Sequence, residues 1–476
     1  MITAGRAPND LGSDHEPVFD SGRVTPLASA IMLFVALYFV LPGSLLPSVG
    51  WQYFGGGPEF QKIHPATYML VAVFSLSLVV DNVFRRRCLV QLTMDYAFVA
   101  FGIAALATSL FAIAARGASA ANLIETFALA LIVRVSIVAL PRKPMVWFRV
   151  FIDVLFIIGV VTVLGEFALR RTLIFENVAF YDAATGQIVV TEFRAAGIFG
   201  HPLAAAGFFG LYAILNLVST PMRLSIRCAS RLMLSALAFL AILPTGGRSA
   251  LLVGGLIIVA FVASSAIRSL ARGYFSKAGL VWSVFFLTCL VLLLPILYEL
   301  DVFDVMLARF ARDDGSTLSR EYAVQMLLNA RLEDLWFGMS LPDVMDLQRQ
   351  FGLVAIENAW INFALICGLV FTVPLMITYL LFMFRSNPLY CVSGIYYVAL
   401  FQIILSNATN DLWAKNTGFA TGLAVIFSFL RRDLVVQREA ISSAGRSDVA
   451  SYRDAPLRYA TGMTGRHAGA QPCGER

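Results

Sequence analysis

The sequence predicts an all-α polytopic membrane protein with about twelve transmembrane helices and a long helical loop before the tenth. Of the 476 residues, 59% are hydrophobic and only 14% are charged, a composition too apolar for a water-soluble globule. The apolar residues also gather in long runs. A helix needs roughly 20 such residues to cross a hydrocarbon core about 30 Å thick with its backbone groups paired internally.

Each predicted span is an apolar run bounded by charged or turn-forming residues. The seventh, eleventh and twelfth are short or interrupted by polar residues. The predicted spans are 26–46, 64–84, 96–115, 122–140, 148–168, 202–220, 229–245, 249–266, 279–298, 357–384, 390–406 and 417–430.

Basic residues in the short loops indicate the orientation, because Lys and Arg accumulate on the cytoplasmic side. Alternate loops are rich in them, and the intervening short loops carry about one each. We therefore expect both termini in the cytoplasm. The cations on the predicted cytoplasmic side are Arg85, Arg86, Arg87, Arg142, Lys143, Arg223, Arg227, Arg268, Arg272, Lys277 and Arg385.

The chain divides into a membrane domain, 25–430, and two cytoplasmic tails. The N-terminal tail, 1–24, is acidic and does not resemble a cleavable signal peptide. The C-terminal tail, 431–476, has almost no apolar periodicity, and we expect it to be disordered. The net charge of +6 comes mostly from the loop cations and this tail. It indicates a bilayer as partner and affinity for anionic lipid, not nucleic-acid binding.

Cysteine and histidine usage predicts neither a disulfide framework nor a metal site. The six cysteines lie in or beside spans or in the tail, and the four histidines are scattered without metal-ligand spacing. We therefore expect no metal and no cofactor.

Two predicted outer segments exceed ordinary loop length, which is typical of functional loops. The first, 169–200, contains a β-branched stretch, 188–193, expected to be extended, and ends in RAAGIFGHP. The second, 299–356, contains an amphipathic helix candidate over 300–310 and helical spacing over 318–338, with Gly338 as the stop.

Arginines on the predicted outer side depart from the usual charge bias and are candidates for anion binding. Arg194 precedes GIFGHP, Arg248 lies in the tight turn PTGGRSA, and Arg320 follows a Ser/Thr cluster at a helix start. Guanidinium groups and turn N–H groups suit phosphate oxygens. Snorkelling to the headgroups or a solvated helix face explains the same arginines structurally, and does so more readily for Arg309 and Arg312.

Glu357 begins ENAWINFALICGLV at the predicted return into the membrane, a position that suits a general base. A first-turn acidic residue stabilised by the helix dipole is the structural alternative. His201 is the rival base, and a satisfied structural histidine is the favoured alternative for that residue. Asn407, Asn410 and Asp411 could line the same cavity or form a polar turn beside Trp413.

The motifs RxxGIFGHP, TGGRSA, SRE with a downstream WFG, and ENAWINFALICGL follow one another along the predicted outer face. Their order resembles the O-antigen polymerase and O-antigen ligase superfamily of bacterial envelope glycosyltransferases, over roughly residues 194–370.

The resemblance implies a bacterial inner-membrane enzyme that transfers sugar chains from undecaprenyl pyrophosphate at the periplasmic face, without metal and with inversion. Arg194, Arg248 and Arg320 are then expected to hold the pyrophosphate of the lipid-linked oligosaccharide, and Arg248 and Arg320 to assist catalysis. Many members have a histidine before the asparagine that opens the last large span. Here Glu357 precedes Asn358, which makes Glu357 the expected base. A flippase and a chain-length regulator are implied partners.

The favoured reading is a polymerase that joins lipid-linked repeat units into an exopolysaccharide or capsule. A ligase that transfers finished glycan to lipid A core or protein differs only in its acceptor, so the two stay open. A transporter of lipid-linked sugar or small anions is a further alternative, for which Asp153 and Glu166 are the intramembrane carboxylates. A noncatalytic assembly factor is the last.

Overall fold

A computed structural model describes residues 26–53, 58–140, 142–174, 180–182, 187–189, 193–218, 226–271, 281, 288, 295, 298–299, 316–353, 356–385, 395–408, 412 and 418–429. All of them belong to one unit, Met1–Asp433. Both predicted tails, the helix candidate over 300–310 and most of the ninth predicted span lie outside the described residues.

Helices make up most of the described chain. Those before residue 170 are α1 (Pro26–Val40), α2 (Pro65–Val80), α3 (Asn82–Met94), α4 (Tyr96–Arg116), α5 (Ala120–Ala139, with a π turn over Ile124–Ala128) and α6 (Arg142–Leu169). Those after residue 200 are α7 (Pro202–Val218), α8 (Ile226–Ile242), α9 (Arg248–Ala271), α10 (Ser316–Asn329), α11 (Leu332–Phe337), α12 (Leu341–Gln350), α13 (Ala359–Arg385), α14 (Ile395–Ala408) and α15 (Gly418–Phe429).

A small β-hairpin is the exception to the predicted all-α class. Strand β1 (Phe180–Asp182) pairs antiparallel with β2 (Gln187–Val189) inside the segment 169–200. The extended stretch expected over 188–193 therefore forms a strand at its first residues, and 190–192 lie outside the described residues.

Four described helices are long and apolar enough to cross a membrane: α4, α5, most of α6 and α13. The bent pair α2 and α3 together would make a fifth, and α1, α7, α8, α9, α14 and α15 contain shorter apolar helices. The chain is thus a helical membrane protein. Every predicted span with described residues falls on a helix, whereas the count of twelve crossings stays a prediction.

Asp81 divides the second predicted span, because α3 runs at 103° to α2. Its carboxylate accepts hydrogen bonds from the amides of Val83 at 2.9 Å and Phe84 at 3.0 Å. An aspartate N-cap of this kind starts a new helix. The cations of 85–87 therefore lie on a helix, and their position on the cytoplasmic side stays a prediction.

Helix α13 consists of two pieces that meet at Gly368, whose φ of 73° and ψ of 167° are not helical. Tyr379 follows Trp360 by 19 residues, and a straight helix would separate the two by about 28 Å. Their ring centroids are 5.6 Å apart. The segment 359–367 therefore folds back along 369–385. The segment meets the length and composition of the predicted span over 357–384, and the fold-back at Gly368 is a feature that hydropathy did not predict.

A direct backbone contact joins Gly338 to the break in α13. A Cβ atom at Gly338 would lie 2.2 Å from the carbonyl oxygen of Ile366, and one at Gly368 would lie 2.2 Å from the carbonyl oxygen of Trp336. Only residues without a side chain allow this approach. Gly338, with φ of 82°, ends α11 as predicted, but the helix expected over 318–338 is divided by the extended backbone of Arg331.

Two hydrogen bonds hold the same contact. The Met339 amide donates to the carbonyl oxygen of Leu365 at 2.7 Å. The guanidinium of Arg116, the last residue of α4, donates to the carbonyl oxygen of Phe337. The connection between α10 and α12 is therefore anchored to both α4 and α13.

An aromatic cluster forms the core beneath this contact. Phe101 of α4 stacks on Phe382 of α13 with ring centroids 4.9 Å apart, and Phe127 of α5 contacts both Phe101 and Phe363. Each aromatic pair contributes about 0.5–1.5 kcal/mol to stability in addition to the free energy of burying its surface. These contacts hold the folded-back segment of α13 in place.

Candidate functional site

The segment 193–201 carries two predicted site residues, Arg194 and His201. The Arg194 guanidinium donates hydrogen bonds to the carbonyl oxygens of Thr245 at 3.2 Å and Gly246 at 3.1 Å. Arg194 therefore ties this segment to the turn between α8 and α9. Part of its hydrogen-bonding capacity serves this structural contact, which the sequence did not predict.

The turn 244–248 brings Arg248 close to Arg194. Gly246 has a φ of 64°, and a Cβ atom at Gly247 would lie 2.4 Å from that of Ala206 in α7. The two glycines thus permit both the reversal and the close approach to α7. The predicted tight turn is confirmed, and half-buried Arg248 begins α9 directly after it.

His201 immediately precedes α7. The residue as a whole is exposed, but the protein atoms packed around its ring, together with the charge of Arg194, lower the pKa of His201 to about 4. Nδ1 accepts a hydrogen bond from the Leu203 amide at 3.2 Å. The neutral tautomer assigned by this bond carries its proton on Nε2, so Nε2 is a donor in this state, and the role of His201 as a base stays a prediction.

The structure brings together Arg320 and Glu357. The Arg320 Nε atom lies 3.6 Å from a carboxylate oxygen of Glu357, and the two side chains are 53% and 46% exposed. An ion pair this accessible contributes little to stability. It leaves a cation and a carboxylate side by side and open to a ligand.

Asn358 serves as a helix cap. Its Oδ1 atom accepts a hydrogen bond from the Ile361 amide at 3.1 Å, and the Asn362 side chain donates to the carbonyl oxygen of Ile356 at 2.9 Å. Both amides therefore fix the start of the folded-back segment beside Glu357. Asp411, the remaining secondary candidate, lies outside the described residues, as do Arg309 and Arg312.

The predicted site residues thus form two groups. Arg194, His201 and the turn bearing Arg248 form one, and Arg320 with Glu357 forms the other. That both groups face a single cavity stays a prediction.

The two carboxylates noted in the fifth predicted span are both engaged. Asp153 lies 2.9 Å from the Arg149 guanidinium and accepts a hydrogen bond from the Tyr212 hydroxyl at 2.7 Å. Glu166 accepts hydrogen bonds from backbone amides of the segment that carries Arg194. Sequence reasoning missed this link, because its donors are main-chain groups thirty residues further on.

Among the described residues, His, Cys, Asp and Glu side chains form no group of three or more that could hold a metal ion. The described residues define a helical membrane protein with two groups of candidate site residues, one at Arg194 and the turn before Arg248 and one at the Arg320–Glu357 pair. No protein-family model matches the chain, and no curated protein matches it either.

Proposed function

We propose that the protein is a bacterial inner-membrane glycosyltransferase that joins undecaprenyl-pyrophosphate-linked oligosaccharide units into an exopolysaccharide or capsule at the periplasmic face. In this proposal the chain crosses the membrane about twelve times, with both termini in the cytoplasm. The segments 169–200 and 299–356 are periplasmic. The observation that carries the proposal is the accessible Arg320–Glu357 pair.

Glu357 supplies the base. An acceptor hydroxyl loses its proton to the carboxylate as its oxygen bonds to the anomeric carbon of the donor sugar. The bond from that carbon to the pyrophosphate oxygen breaks, and undecaprenyl pyrophosphate leaves with the electron pair. Attack opposite the leaving group inverts the anomeric carbon.

The arginines stabilise the leaving group. Negative charge grows on the pyrophosphate as the bond breaks, and guanidinium groups already in position stabilise that charge most where water is scarce. Arg248 at the start of α9 and Arg320 beside Glu357 have this role, and Arg194 holds the turn while facing the same anion. The hydrogen bonds of Arg194 to two carbonyl oxygens fix its orientation in advance.

Transport receives less support. A carrier of lipid-linked sugar or anions needs ionisable groups that change partners near the bilayer midplane. Asp153 is bound by Arg149 and Tyr212, and Glu166 by backbone amides, so both carboxylates have structural partners.

The experiment is polymerisation of a purified lipid-linked repeat unit by the purified full-length protein. Glu357→Gln should lower the rate by about 10²-fold or more, the usual contribution of a general base. Arg248→Ala should lower it by a similar factor. Glu321→Gln is the matched control, because Glu321 neighbours Arg320 in sequence but hydrogen-bonds Gln325 on an exposed helix face.

Activity within a few-fold of wild type for both Glu357→Gln and Arg248→Ala would overturn the proposal. Chain lengthening of the repeat distinguishes a polymerase from a ligase, which would instead transfer finished glycan to lipid A core or to a protein. Movement of the lipid across vesicles without new glycosidic bonds would identify a transporter.

A further inference from the structure

Glu166 lies near the end of α6 and is almost fully buried, with 1% of its surface exposed. One carboxylate oxygen accepts hydrogen bonds from the amides of Ala196 and Gly197, both at 2.8 Å. The other accepts from the amide of Leu173 at 3.0 Å. All three donors are main-chain N–H groups, so the carboxylate fixes the path of the backbone rather than a side chain.

The backbone held by Glu166 is the segment that carries Arg194 and His201. Gly197 has a φ of 54°, and a Cβ atom there would lie 2.6 Å from the Thr162 hydroxyl oxygen in α6. The segment therefore rests directly on α6 one turn before Glu166. Two residues before Ala196, Arg194 reaches out to the turn.

The turn 244–248 is hydrogen-bonded to the same segment. The Ala195 amide donates to the carbonyl oxygen of Pro244 at 3.2 Å, and Arg194 donates to the next two carbonyl oxygens. A shift of the backbone at 196–197 would therefore move Arg194 and loosen the turn that precedes Arg248. These contacts connect Glu166 to Arg194 and to the turn that precedes Arg248.

We propose that Glu166 is a positioning residue for pyrophosphate binding, acting through the backbone of 195–197 on Arg194. The inference rests on the proposed function, because it assigns the donor pyrophosphate to Arg194. Glutamine at this position keeps the size of the side chain but replaces one acceptor oxygen with an NH₂ group that faces N–H donors. In either orientation the NH₂ group faces a backbone donor, so at least one of these hydrogen bonds is lost and the segment is held less firmly. Small displacements of a binding group have large effects.

The test is a double-mutant cycle on the full-length protein in nanodiscs, with a fluorescent short-chain polyprenyl pyrophosphate as the probe. Glu166→Gln should weaken binding about tenfold or more. Glu166→Asp, which keeps both acceptor oxygens, should recover part of the affinity. In an Arg194→Ala background, Glu166→Gln should weaken binding much less than it does in the wild type, because its main effect passes through Arg194. The matching monophosphate should show a smaller difference between wild type and Glu166→Gln.

Glu125→Gln is the matched control for loss of a buried carboxylate. Glu125 is fully buried and accepts hydrogen bonds from the His64 amide at 3.0 Å and from the hydroxyls of Thr67 and Tyr53. Its replacement should lower the melting temperature while leaving probe affinity unchanged. This separates a general loss of stability from a local effect on Arg194.

The outcomes distinguish the two proposals. If Arg194→Ala binds the probe as wild type does, the pyrophosphate role of Arg194 in the proposed function fails. If Arg194→Ala weakens binding but Glu166→Gln does not, or if the two effects add in full, only the positioning role of Glu166 is overturned. Should Glu166→Gln fail to fold, the same cycle with Glu166→Asp gives the answer.

Discussion

Replacing Gly338 by alanine tests whether the 316–353 connection is fixed to α13 as described. The added Cβ atom would lie 2.2 Å from the carbonyl oxygen of Ile366 and 2.8 Å from the amide nitrogen of Gly368. Both neighbours are main-chain atoms, so no side chain can rotate away to make room. We expect the connection to detach from α13.

The magnitude follows from two contributions. A non-glycine residue in the backbone region of Gly338, with φ of 82° and ψ of 164°, costs about 1–3 kcal/mol. Forcing a methyl group into a packed contact costs a further amount of about 1–3 kcal/mol. The sum, about 2–6 kcal/mol, lowers the ratio of attached to detached connection by about thirtyfold at least.

Maleimide labelling of Cys367 measures the detachment. Cys367 lies next to Gly368 and is fully buried, so it should react slowly in wild type and faster in Gly338→Ala. The other five cysteines are replaced beforehand. Gly352→Ala is the control, because Gly352 also has a positive φ, of 66°, but nothing lies within 4 Å of its added Cβ atom. Equal labelling rates in the two variants would refute the reasoning.

Three further predictions concern other parts of the fold. Arg134→Met leaves the buried Asp95 carboxylate without its guanidinium partner and should destabilise the protein by about 3–5 kcal/mol. The double variant Arg134→Met/Asp95→Asn should recover part of the lost stability. An unchanged melting temperature in Arg134→Met would contradict this prediction. Because burial and Arg194 lower the pKa of His201 from 6.5 to about 4, the unfolded chain binds this proton more readily, so stability should fall as pH falls from 6.5 to 4. His201→Gln should show a shallower fall in thermal unfolding over this range, and an unchanged slope would argue against it. Asp81→Ala removes the cap of α3 and should cost about 1 kcal/mol, whereas Asp81→Asn should retain most of it; equal melting temperatures would count against the cap.

The positions of the helices could be predicted because apolar runs bury themselves in lipid whatever their neighbours do. The tight turn at Gly246 and the end of α11 at Gly338 also follow from local chemistry, since glycine readily adopts positive φ. Local sequence was therefore sufficient to predict where the apolar helices lie, and to predict the turn at Gly246 and the end of α11 at Gly338.

Features that depend on distant partners could not be predicted. The fold-back at Gly368 depends on the contact with Gly338, thirty residues earlier in the chain. A glycine within an apolar run gives no information about such a distant partner. Hydropathy likewise merged α2 with α3, because one aspartate changes the mean little while its N-cap redirects the chain by 103°.

In the candidate site as well, features of the local sequence could be predicted and contacts between distant residues could not. The pairing of Glu357 with Arg320 joins two residues that were each selected from their own local motif. The hydrogen bonds from the backbone of 196–197 to Glu166 could not be predicted from the sequence, because every residue except proline has the same backbone N–H group.

The meeting of Gly338 and Gly368 imposes a shared evolutionary constraint on a hydrophilic connection and an apolar helix. The close approach involves only residues 336–339 of the connection and residues 365–368 of α13. A substitution at either glycine demands that two backbones be rebuilt at once. Descendants of a common ancestor should therefore keep hydrogen in place of a side chain at both positions even where the rest of the connection has diverged beyond alignment.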